Sequence, residues 1–317
     1  MLSDLRAAPE DLPHIDEAAV EATVLAVLDD SVRARVSGIR TAQTPRIAVL
    51  FSGGLDCTVV AALAHRHVPH DEPIDLITVA FENPRAIAAA RARGETADPY
   101  NVPDRQSARA SFADLSKLPR EWRLVQVDVP HAEYTAHLEH IQALIYPSES
   151  VMDLSIGAAL YFAGRARGTV NGAVYESPAP VALSGLGADE LLGGYSRHRQ
   201  ACRRGADSLA HELQLDLDRL PARNLGRDDR VISAHAREMR YPYLAWSVLE
   251  MLTSLPISAK MDLRTNGGDK RLLRRIAESL GLTHASSLPK RAIQFGARSA
   301  KMDADAARRK GGELLWS

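Results

Sequence analysis

A short segment near the start of the chain combines residue types that could bind a phosphate group and a divalent metal. Residues 47–57 read I-A-V-L-F-S-G-G-L-D-C, so the apolar run Ile47–Phe51 is followed at once by Ser52, two glycines and Asp56. An unbroken apolar run is typical of a strand buried on both faces, and the residues after the glycines favour a helix. Such a turn presents backbone N–H groups to an anion at a helix N-terminus. Because a carboxylate alone would repel phosphate, Asp56 predicts a Mg²⁺ ion beside it.

The loop is not a Walker A motif, which requires G-x-x-x-x-G-K-[ST], since no lysine follows Gly54. The pattern S-G-G-L-D-[SC] instead resembles the pyrophosphate loop of N-type ATP pyrophosphatases, which cleave ATP between its α and β phosphates. A plain strand–turn–helix corner is the alternative explanation. The preceding buried strand and Asp56 favour the phosphate-binding interpretation.

A second glycine-rich loop repeats this arrangement. Residues 184–195 read S-G-L-G-A-D-E-L-L-G-G-Y, after the predicted strand Val181–Ser184. In a parallel sheet both loops would lie at the carboxyl edge of the strands, where ligands bind. Acidic residues also complement a helix N-terminus, which is the alternative for Asp189 considered alone. Together with the first loop, we expect Asp56 and Asp189 to share one magnesium ion.

Composition excludes several classes of protein. The chain has 317 residues, 45% hydrophobic and 25% charged, with a net charge of −1. This is ordinary for a globular domain and gives no reason to expect a nucleic-acid partner. Two cysteines, Cys57 and Cys202, argue against a disulfide scaffold and a cysteine-based zinc site. The polar N-terminus is not a signal peptide and no apolar run is long enough to cross a membrane, so we expect a cytoplasmic protein without a membrane partner.

Strand and helix patterns alternate along the chain, which predicts an α/β fold with a parallel sheet and a mainly helical C-terminal part. A leader and helix are expected over residues 1–40 and one domain over residues 41–317. The predicted strands are 47–51, 75–81, 123–128 and 181–184. The predicted helices include 104–115, 132–144, 231–240, 245–255 and 270–280, and residues 84–103 are expected to be irregular.

Several ordered motifs resemble the synthetase domain of asparagine synthetases. They are S-G-G-L-D-C, S-G-L-G-A-D-E-L-L-G-G-Y, R-E-M-R-Y-P-Y-L and D-K-R-L-L-R. The segments G-A-D-E-L-L-G-G-Y-S-R-H-R, V-P-D-R, V-M-D-L-S-I-G and L-P-K-R-A-I-Q-F-G are similar to those of the asparagine synthetase domain-containing proteins. The resemblance covers residues 46–301 and implies the ATP-pyrophosphatase fold.

The resemblance implies a carbon–nitrogen ligase that uses ATP and Mg²⁺. A carboxylate, aspartate in asparagine synthetases, is adenylated with release of pyrophosphate, and ammonia or an amine then forms the amide. It implies Glu238 as the general base for the amine, Lys290 as the transition-state cation, and Asp56 and Asp189 as metal ligands. The residues implied to contact ATP or pyrophosphate are Ser52, Gly53, Gly54, Leu55, Asp56, Cys57, Phe81, Gly185, Lys270, Arg274 and Lys290.

These residue types suit the chemistry, since a carboxylate can deprotonate ammonium and a buried lysine with Mg²⁺ stabilises developing negative charge. Structural alternatives remain for each. Glu238 could form a salt bridge with Arg237 or Arg240, Lys290 could be a solvated loop lysine, and the pair Lys270 and Arg274 could be a helix face. Cys57 suits a small buried helix position better than a redox role. His198, between two arginines, is a candidate phosphate or substrate contact.

Two departures from the family pattern affect the expected substrates. Residue 2 is Leu rather than the nucleophilic Cys of a glutaminase. The nitrogen donor is therefore expected to be free ammonia, ammonia from a separate glutaminase domain or partner, or another amine, unless the chain is a fragment of a longer protein. Leu186 stands where many asparagine synthetases carry an acid, which puts aspartate specificity in doubt. The alternatives are another adenylating amide-forming enzyme, similar to β-lactam synthetases or lasso-peptide cyclases, and a catalytically quiet ATP-binding protein.

Overall fold

The computed structural model describes residues 16–82, 84–94, 98–289 and 291–302. The predicted N-terminal leader and the predicted catalytic Lys290 lie outside these residues. Within the described part, seven strands form one sheet. The strands are β1 (Ile47–Leu50), β2 (Ile74–Phe81), β3 (Trp122–Val129), β4 (Arg167–Val170), β5 (Ala173–Glu176), β6 (Val181–Leu183) and β7 (Glu238–Arg240).

The sheet has the strand order β5-β4-β3-β2-β1-β6-β7. The neighbours from β3 through β2, β1 and β6 to β7 pair in parallel, whereas β3, β4 and β5 pair antiparallel. β1 is central and lies between β2 and β6, so its apolar residues are buried on both faces, as the unbroken hydrophobic run predicts. The α/β class with a parallel sheet is thus confirmed, with an antiparallel hairpin added at one edge.

Helices fill most of the connections and the C-terminal part. They are α1 (Glu17–Val36), α2 (Leu55–Ala64), α3 (Pro84–Ala92), α4 (Pro103–Leu115), α5 (His131–Ile145), α6 (Val151–Arg165), α7 (Ala188–Leu192), α8 (Ser196–Arg204), α9 (Ala206–Leu220), α10 (Gly226–Ser233), α11 (Trp246–Ser254), α12 (Ile257–Lys260), α13 (Arg271–Ser279), α14 (Thr283–Ser287) and α15 (Ile293–Gly296). A π-helical turn, Pro221–Leu225, joins α9 to α10. Among the described residues, no helix has both the length and the apolar character that crossing a bilayer requires.

Two hydrophobic cores cover the two faces of the sheet. Ile47 and Val49 of β1 belong to one core, and Ala48 between them belongs to the other, as the alternation of side chains along a strand dictates. The first core is completed by α1, α2, α11 and α13, and the second by α5, α6 and α10. The buried face of α1 packs into the first core, so this helix shares the core of the domain predicted to start at residue 41.

Two sequence-based assignments were wrong. The helix predicted over 231–240 ends at Ser233, and Glu238–Arg240 instead forms the edge strand β7 beside β6. The segment 84–103, predicted to be irregular, contains the helix Pro84–Ala92. Local sequence alone does not separate a three-residue strand from a helix end, because the pairing with β6 is what holds β7 extended.

Candidate active site

The two glycine-rich loops meet at the carboxyl edge of the sheet. β1 and β6 are parallel neighbours with Val49 opposite Leu183, so the loops that follow them leave the same edge side by side. A Cβ atom on Gly185 would lie 2.8 Å from the Cβ of Asp56, which leaves no room for a side chain there. Glycine at 185 therefore lets the second loop pack directly against the start of α2.

The first loop is fixed from the other side by α4. Gly53 has a φ of +74°, and a Cβ there would come within 2.3 Å of the backbone of Ser107 and Ala108. The hydroxyl of Ser111 on α4 donates to the carbonyl of Gly53 over 2.7 Å. The turn thus needs glycine both for its backbone angle and for the close approach of α4.

The start of α2 is the predicted anion site. The backbone N–H of Gly54 donates to the Ser52 hydroxyl over 3.3 Å, and α2 begins at the next residue. The first N–H groups of any helix lack acceptors within the helix, so they are available to a bound anion. Cys57 is buried on this helix and burial raises the pKa of its thiol, which agrees with a packing role.

One buried lysine joins the two loops. The ammonium of Lys270 lies 2.7 and 2.6 Å from the carboxylate oxygens of Asp56 and 2.7 Å from Oδ1 of Asp189. Burial alone would lower the pKa of Lys270, but the two carboxylates outweigh it and raise the pKa. Its backbone N–H donates to the carbonyl of Leu192 at the end of α7. Asp56 and Asp189 are therefore close together, and the cation between them in the structure is the ammonium group of Lys270. The magnesium ion that the two acids were expected to share stays a prediction.

The donor set fits a magnesium ion that is shared with a phosphorylated substrate. Mg²⁺ is usually bound by one or two carboxylates, with water and substrate phosphates completing its coordination. Asp56 and Asp189 supply two carboxylates at one point. No cluster of three or more histidine, cysteine or acidic side chains is found in the described part of the chain, so substrate or water oxygens would have to supply the remaining ligands.

The remaining predicted ligands differ in their placement. Arg274 lines the cleft, but its guanidinium donates to the Asp269 carboxylate and to the carbonyls of Ser286 and Leu288. It thereby anchors the chain just before Lys290. Phe81 does not line the cleft, because its ring is fully buried in the second core against Tyr134 and Phe162.

Glu238 is not brought to this site. It begins β7 opposite Val181, the first residue of β6, so it lies at the amino end of the strands while the glycine loops lie at their carboxyl ends. Its side chain is 62% exposed and pairs with Arg240 at 2.9 Å. The salt-bridge alternative is therefore what the structure shows, and the predicted general-base role does not fit this placement.

The cleft beside the two loops has a volume of about 470 Å³. Its lining includes a network that the sequence analysis did not find. Tyr195 donates its hydroxyl to Glu190 over 2.6 Å, and the guanidinium of Arg197 lies 4.0 Å from the centre of the Tyr195 ring. Burial, followed by the charges of Asp189 and Glu190, raises the pKa of the tyrosine hydroxyl. The only sequence signal for this network was the position of these residues directly after the second loop.

His198 is a structural residue. Its ring is fully buried and lies 2.7 Å from Asp216, which also accepts two bonds from Arg197. Burial would raise the pKa of Asp216, but the bonds from His198 and Arg197 outweigh it and lower the pKa. The predicted contact of His198 with phosphate or substrate was therefore wrong. The side chain instead fixes α8 against α9.

Comparison with known proteins assigns the family. The asparagine synthase family model matches residues 23–206 and 201–310. Asparagine synthetase domain-containing protein 1 of Gallus gallus is 42% identical, over 88% of this chain and 52% of that protein. A Saccharomyces cerevisiae asparagine synthetase domain-containing protein is 40% identical, over 93% and 56%, and the glutamine-hydrolyzing asparagine synthetase of Gallus gallus is 25% identical, over 90% and 45%. The chain spans about half the length of these relatives. The chain belongs to the asparagine synthase family.

Proposed function

We propose that the chain is an amide-forming ligase that converts ATP to AMP and pyrophosphate. A carboxylate substrate would be activated by transfer of the adenylyl group, and ammonia or an amine would then displace AMP to form the amide. Membership of the asparagine synthase family supports this class of reaction.

The observation that carries the proposal is the convergence of Asp56 and Asp189 on Lys270. The two acids follow neighbouring parallel strands, and both lie within 2.7 Å of one buried ammonium. Burying charged groups costs free energy unless they are paired, so a fold seldom collects three of them without a use. A polyphosphate carrying Mg²⁺ would match this arrangement of opposite charges.

The two loops, the start of α2 and Lys270 each have a distinct role in this proposal. The first turn of α2 and the Ser52 hydroxyl would bind phosphate oxygens that leave as pyrophosphate. Asp56 and Asp189 would hold Mg²⁺, which when bound neutralises charge on the phosphate oxygens. Lys270 would keep the two carboxylates together and reach the same phosphate oxygens.

The proposal does not specify which compound donates the nitrogen or which carboxylic acid is the substrate. Ammonia, an amine, or ammonia delivered by a separate glutaminase domain would each serve as the nucleophile. Leu186 lines the cleft where many asparagine synthetases carry an acid, so aspartate is one acid to test among several. The role of Lys290 stays a prediction from the sequence.

The products formed from ATP test the proposal. We would incubate the protein with Mg·ATP, ammonium and a panel of carboxylic acids, and separate the nucleotides by chromatography. Release of AMP and pyrophosphate in equal amounts, dependent on one acid and lost in Asp189→Asn, supports the ligase. Release of ADP would overturn it, and ATP binding without turnover for any acid would favour the quiet ATP-binding protein.

A further inference from the structure

The backbone of Lys270 adopts a conformation that residues with a side chain seldom adopt. Its φ is +53° and its ψ is +29°, in the left-handed region, directly before α13 begins. A Cβ atom makes this region unfavourable, so a residue other than glycine stays there only where surrounding contacts hold it. Such residues cluster at functional sites. The contacts that hold this backbone therefore also determine where the side chain of Lys270 lies.

Lys270 connects distant segments through both its backbone and its side chain. Its N–H donates to the carbonyl of Leu192 over 3.0 Å, and its carbonyl accepts from the N–H of Arg274 over 2.9 Å. Its ammonium lies within 2.7 Å of three carboxylate oxygens, two of Asp56 and one of Asp189. An ammonium group has three N–H bonds to donate, so the number of nearby oxygens matches it. This match depends on where the backbone places the side chain.

The residue before Lys270 is held by two arginines from different helices. One carboxylate oxygen of Asp269 accepts from Arg274 over 2.7 Å, and the other accepts from Arg199 over 3.3 Å. The carbonyl of Asp269 accepts a further bond from Nε of Arg274 over 2.9 Å. These side chains are at most 28% exposed, and partly buried charges attract each other more strongly than exposed ones. Asp269 is thus fixed at its side chain and at the carbonyl that is bonded to the nitrogen of Lys270.

Arg199 connects this residue to the second glycine-rich loop. It lies on α8, which begins directly after that loop, and its Nη1 donates to the carbonyls of Thr265 over 2.7 Å and Leu263 over 3.4 Å. These carbonyls belong to the turn that joins α12 to α13. A planar guanidinium group binds several acceptors in fixed directions, which a lysine cannot do. Arg199 therefore fixes the turn relative to the loop that supplies Asp189.

Arg274 connects Asp269 to the first turn of α13. Its Nη1 donates to the carbonyls of Ser286 and Leu288, and its other two nitrogens donate to Asp269. All three guanidinium nitrogens thus have acceptors within the protein, which accounts for the place of Arg274 in the cleft lining without a contact to ATP. Together, Arg199, Asp269 and Arg274 form a clamp on the turn before α13.

We propose that Arg199, Asp269 and Arg274 are positioning residues for the buried ammonium group between the two loops. They hold the backbone of Lys270 in its left-handed conformation, and that backbone directs the ammonium to the carboxylates of both loops. The catalytic consequence rests on the proposed function, because there Lys270 reaches the phosphate oxygens of ATP. The position of the ammonium can be measured without turnover, so the two proposals are testable separately.

The exchange of the Lys270 ammonium protons with water tests the positioning directly. The chain has only six lysines, so NMR of protein labelled with ¹⁵N at lysine identifies the Lys270 signal as the one that Lys270→Arg removes. An amide offers one acceptor where a carboxylate offers two, and a lysine cannot replace the forked contacts of an arginine. In Asp269→Asn and Arg274→Lys we therefore expect this exchange to be at least about tenfold faster than in the wild type.

Arg271→Lys is the matched control. Arg271 follows Lys270 directly, but its guanidinium donates to Glu17 and to the carbonyl of Ser258, and it does not line the cleft. We expect its substitution to leave the exchange of the Lys270 protons within about twofold of the wild type. An equal acceleration in this control, or wild-type exchange in both clamp variants, would overturn the proposal.

A milder variant and a stability measurement distinguish positioning from a general structural role. Arg199→Lys removes only the connection to α8, and we expect it to accelerate the exchange at least about threefold, including where Asp269→Asn or Arg274→Lys fails to fold. All exchange rates are measured below the thermal unfolding transition of each variant. A lower melting temperature with unchanged exchange of the Lys270 protons would assign the clamp to stability alone and overturn the proposal.

Exchange of pyrophosphate into ATP separates this inference from the proposed ligase. Faster proton exchange at Lys270, together with a fall of at least about tenfold in pyrophosphate exchange in the clamp variants, would support both proposals. Faster proton exchange, with no pyrophosphate exchange in the wild type for any acid, would keep the positioning of the ammonium and reject the ligase. Faster proton exchange with pyrophosphate exchange at the wild-type rate would keep the ligase and overturn the positioning role.

Discussion

The ammonium of Lys270 lies within hydrogen-bond distance of both carboxylate oxygens of Asp56, although 214 residues separate the two in the chain. The contact closes the C-terminal helical part onto the first loop of the sheet. Asp189 completes the cluster from the second loop. The candidate active site is thus also a junction between distant parts of the chain, and its electrostatics contribute to folding as well as to function.

Removing the lysine charge should leave two carboxylates facing each other. We expect Lys270→Met to lower the free energy of unfolding by about 3 kcal/mol, because a buried ion pair has lost one partner. Millimolar Mg²⁺ should restore part of this loss if the carboxylates bind the metal, and thermal unfolding with and without Mg²⁺ measures both effects. Lys117→Met removes an exposed partner of Asp114 and should change stability by less than about 1 kcal/mol. Full stability of Lys270→Met without Mg²⁺ would contradict this description.

The contribution of the close packing between α4 and the first loop can be measured by comparing alanine substitutions at Gly53 and Gly38. Gly53 and Gly38 have φ values of +74° and +70°, but a Cβ on Gly53 would overlap the α4 backbone, whereas one on Gly38 meets nothing within 4 Å. Gly38→Ala should cost about 1 kcal/mol for its left-handed backbone alone. Gly53→Ala should cost clearly more and abolish nucleotide binding. Chemical denaturation measures the free energy of unfolding of both variants. If Gly53→Ala and Gly38→Ala lose the same amount, the loop does not depend on its packing against α4.

Glu238 lies outside the cleft in the structure, so its substitution should have little effect on the reaction. We expect Glu238→Gln to keep the rate of pyrophosphate release within about twofold of the wild type. Stability should change by less than about 1 kcal/mol, since the ion pair between Glu238 and Arg240 lies at the surface. Steady-state kinetics with the preferred acid measures the rate. A loss of tenfold or more with an intact fold would restore the role that the sequence motif implied.

A second buried lysine, Lys260, should make stability depend on pH. Lys260 is buried with its ammonium donating to the carbonyl of Leu252, and burial lowers its pKa to about 8. In the unfolded chain its pKa is about 10.4, so folding favours the neutral amine. Stability should therefore rise as the pH increases from about 8 towards 10.4, and the charged form costs on the order of 3 kcal/mol at pH 7.

Lys260→Met separates this effect from the other titrating groups. The variant should be more stable than the wild type at pH 7, and the difference should shrink as the pH is raised to 10. Urea unfolding at the two pH values measures it. A stability difference that does not change between pH 7 and pH 10 would show that Lys260 keeps an ordinary pKa.

The sequence predicted the parts of the fold and site that depend on local pattern. The apolar run before Ser52 identified the central strand, and the repeated glycine–acid pattern placed Asp56 and Asp189 at one edge. The hairpin β4–β5 was missed because its strands have four residues each and none of these residues is fully buried, so they lack a hydrophobic signal. Spacing along the chain also could not place residues whose environment depends on distant partners. Glu238 lies at the opposite end of its strand, and His198 is buried against Asp216.

The path of oxygen from the acid to the nucleotide tests the central claim most directly. The preferred acid would be labelled with ¹⁸O in its carboxylate groups, turned over with Mg·ATP and ammonium, and the phosphorus-containing products analysed by mass spectrometry. If the adenylyl group is transferred to the carboxylate at the site formed by Asp56, Asp189 and Lys270, AMP should leave with one carboxylate oxygen. We therefore expect one ¹⁸O atom in AMP and none in pyrophosphate. Label in inorganic phosphate, or AMP released without label, would contradict it.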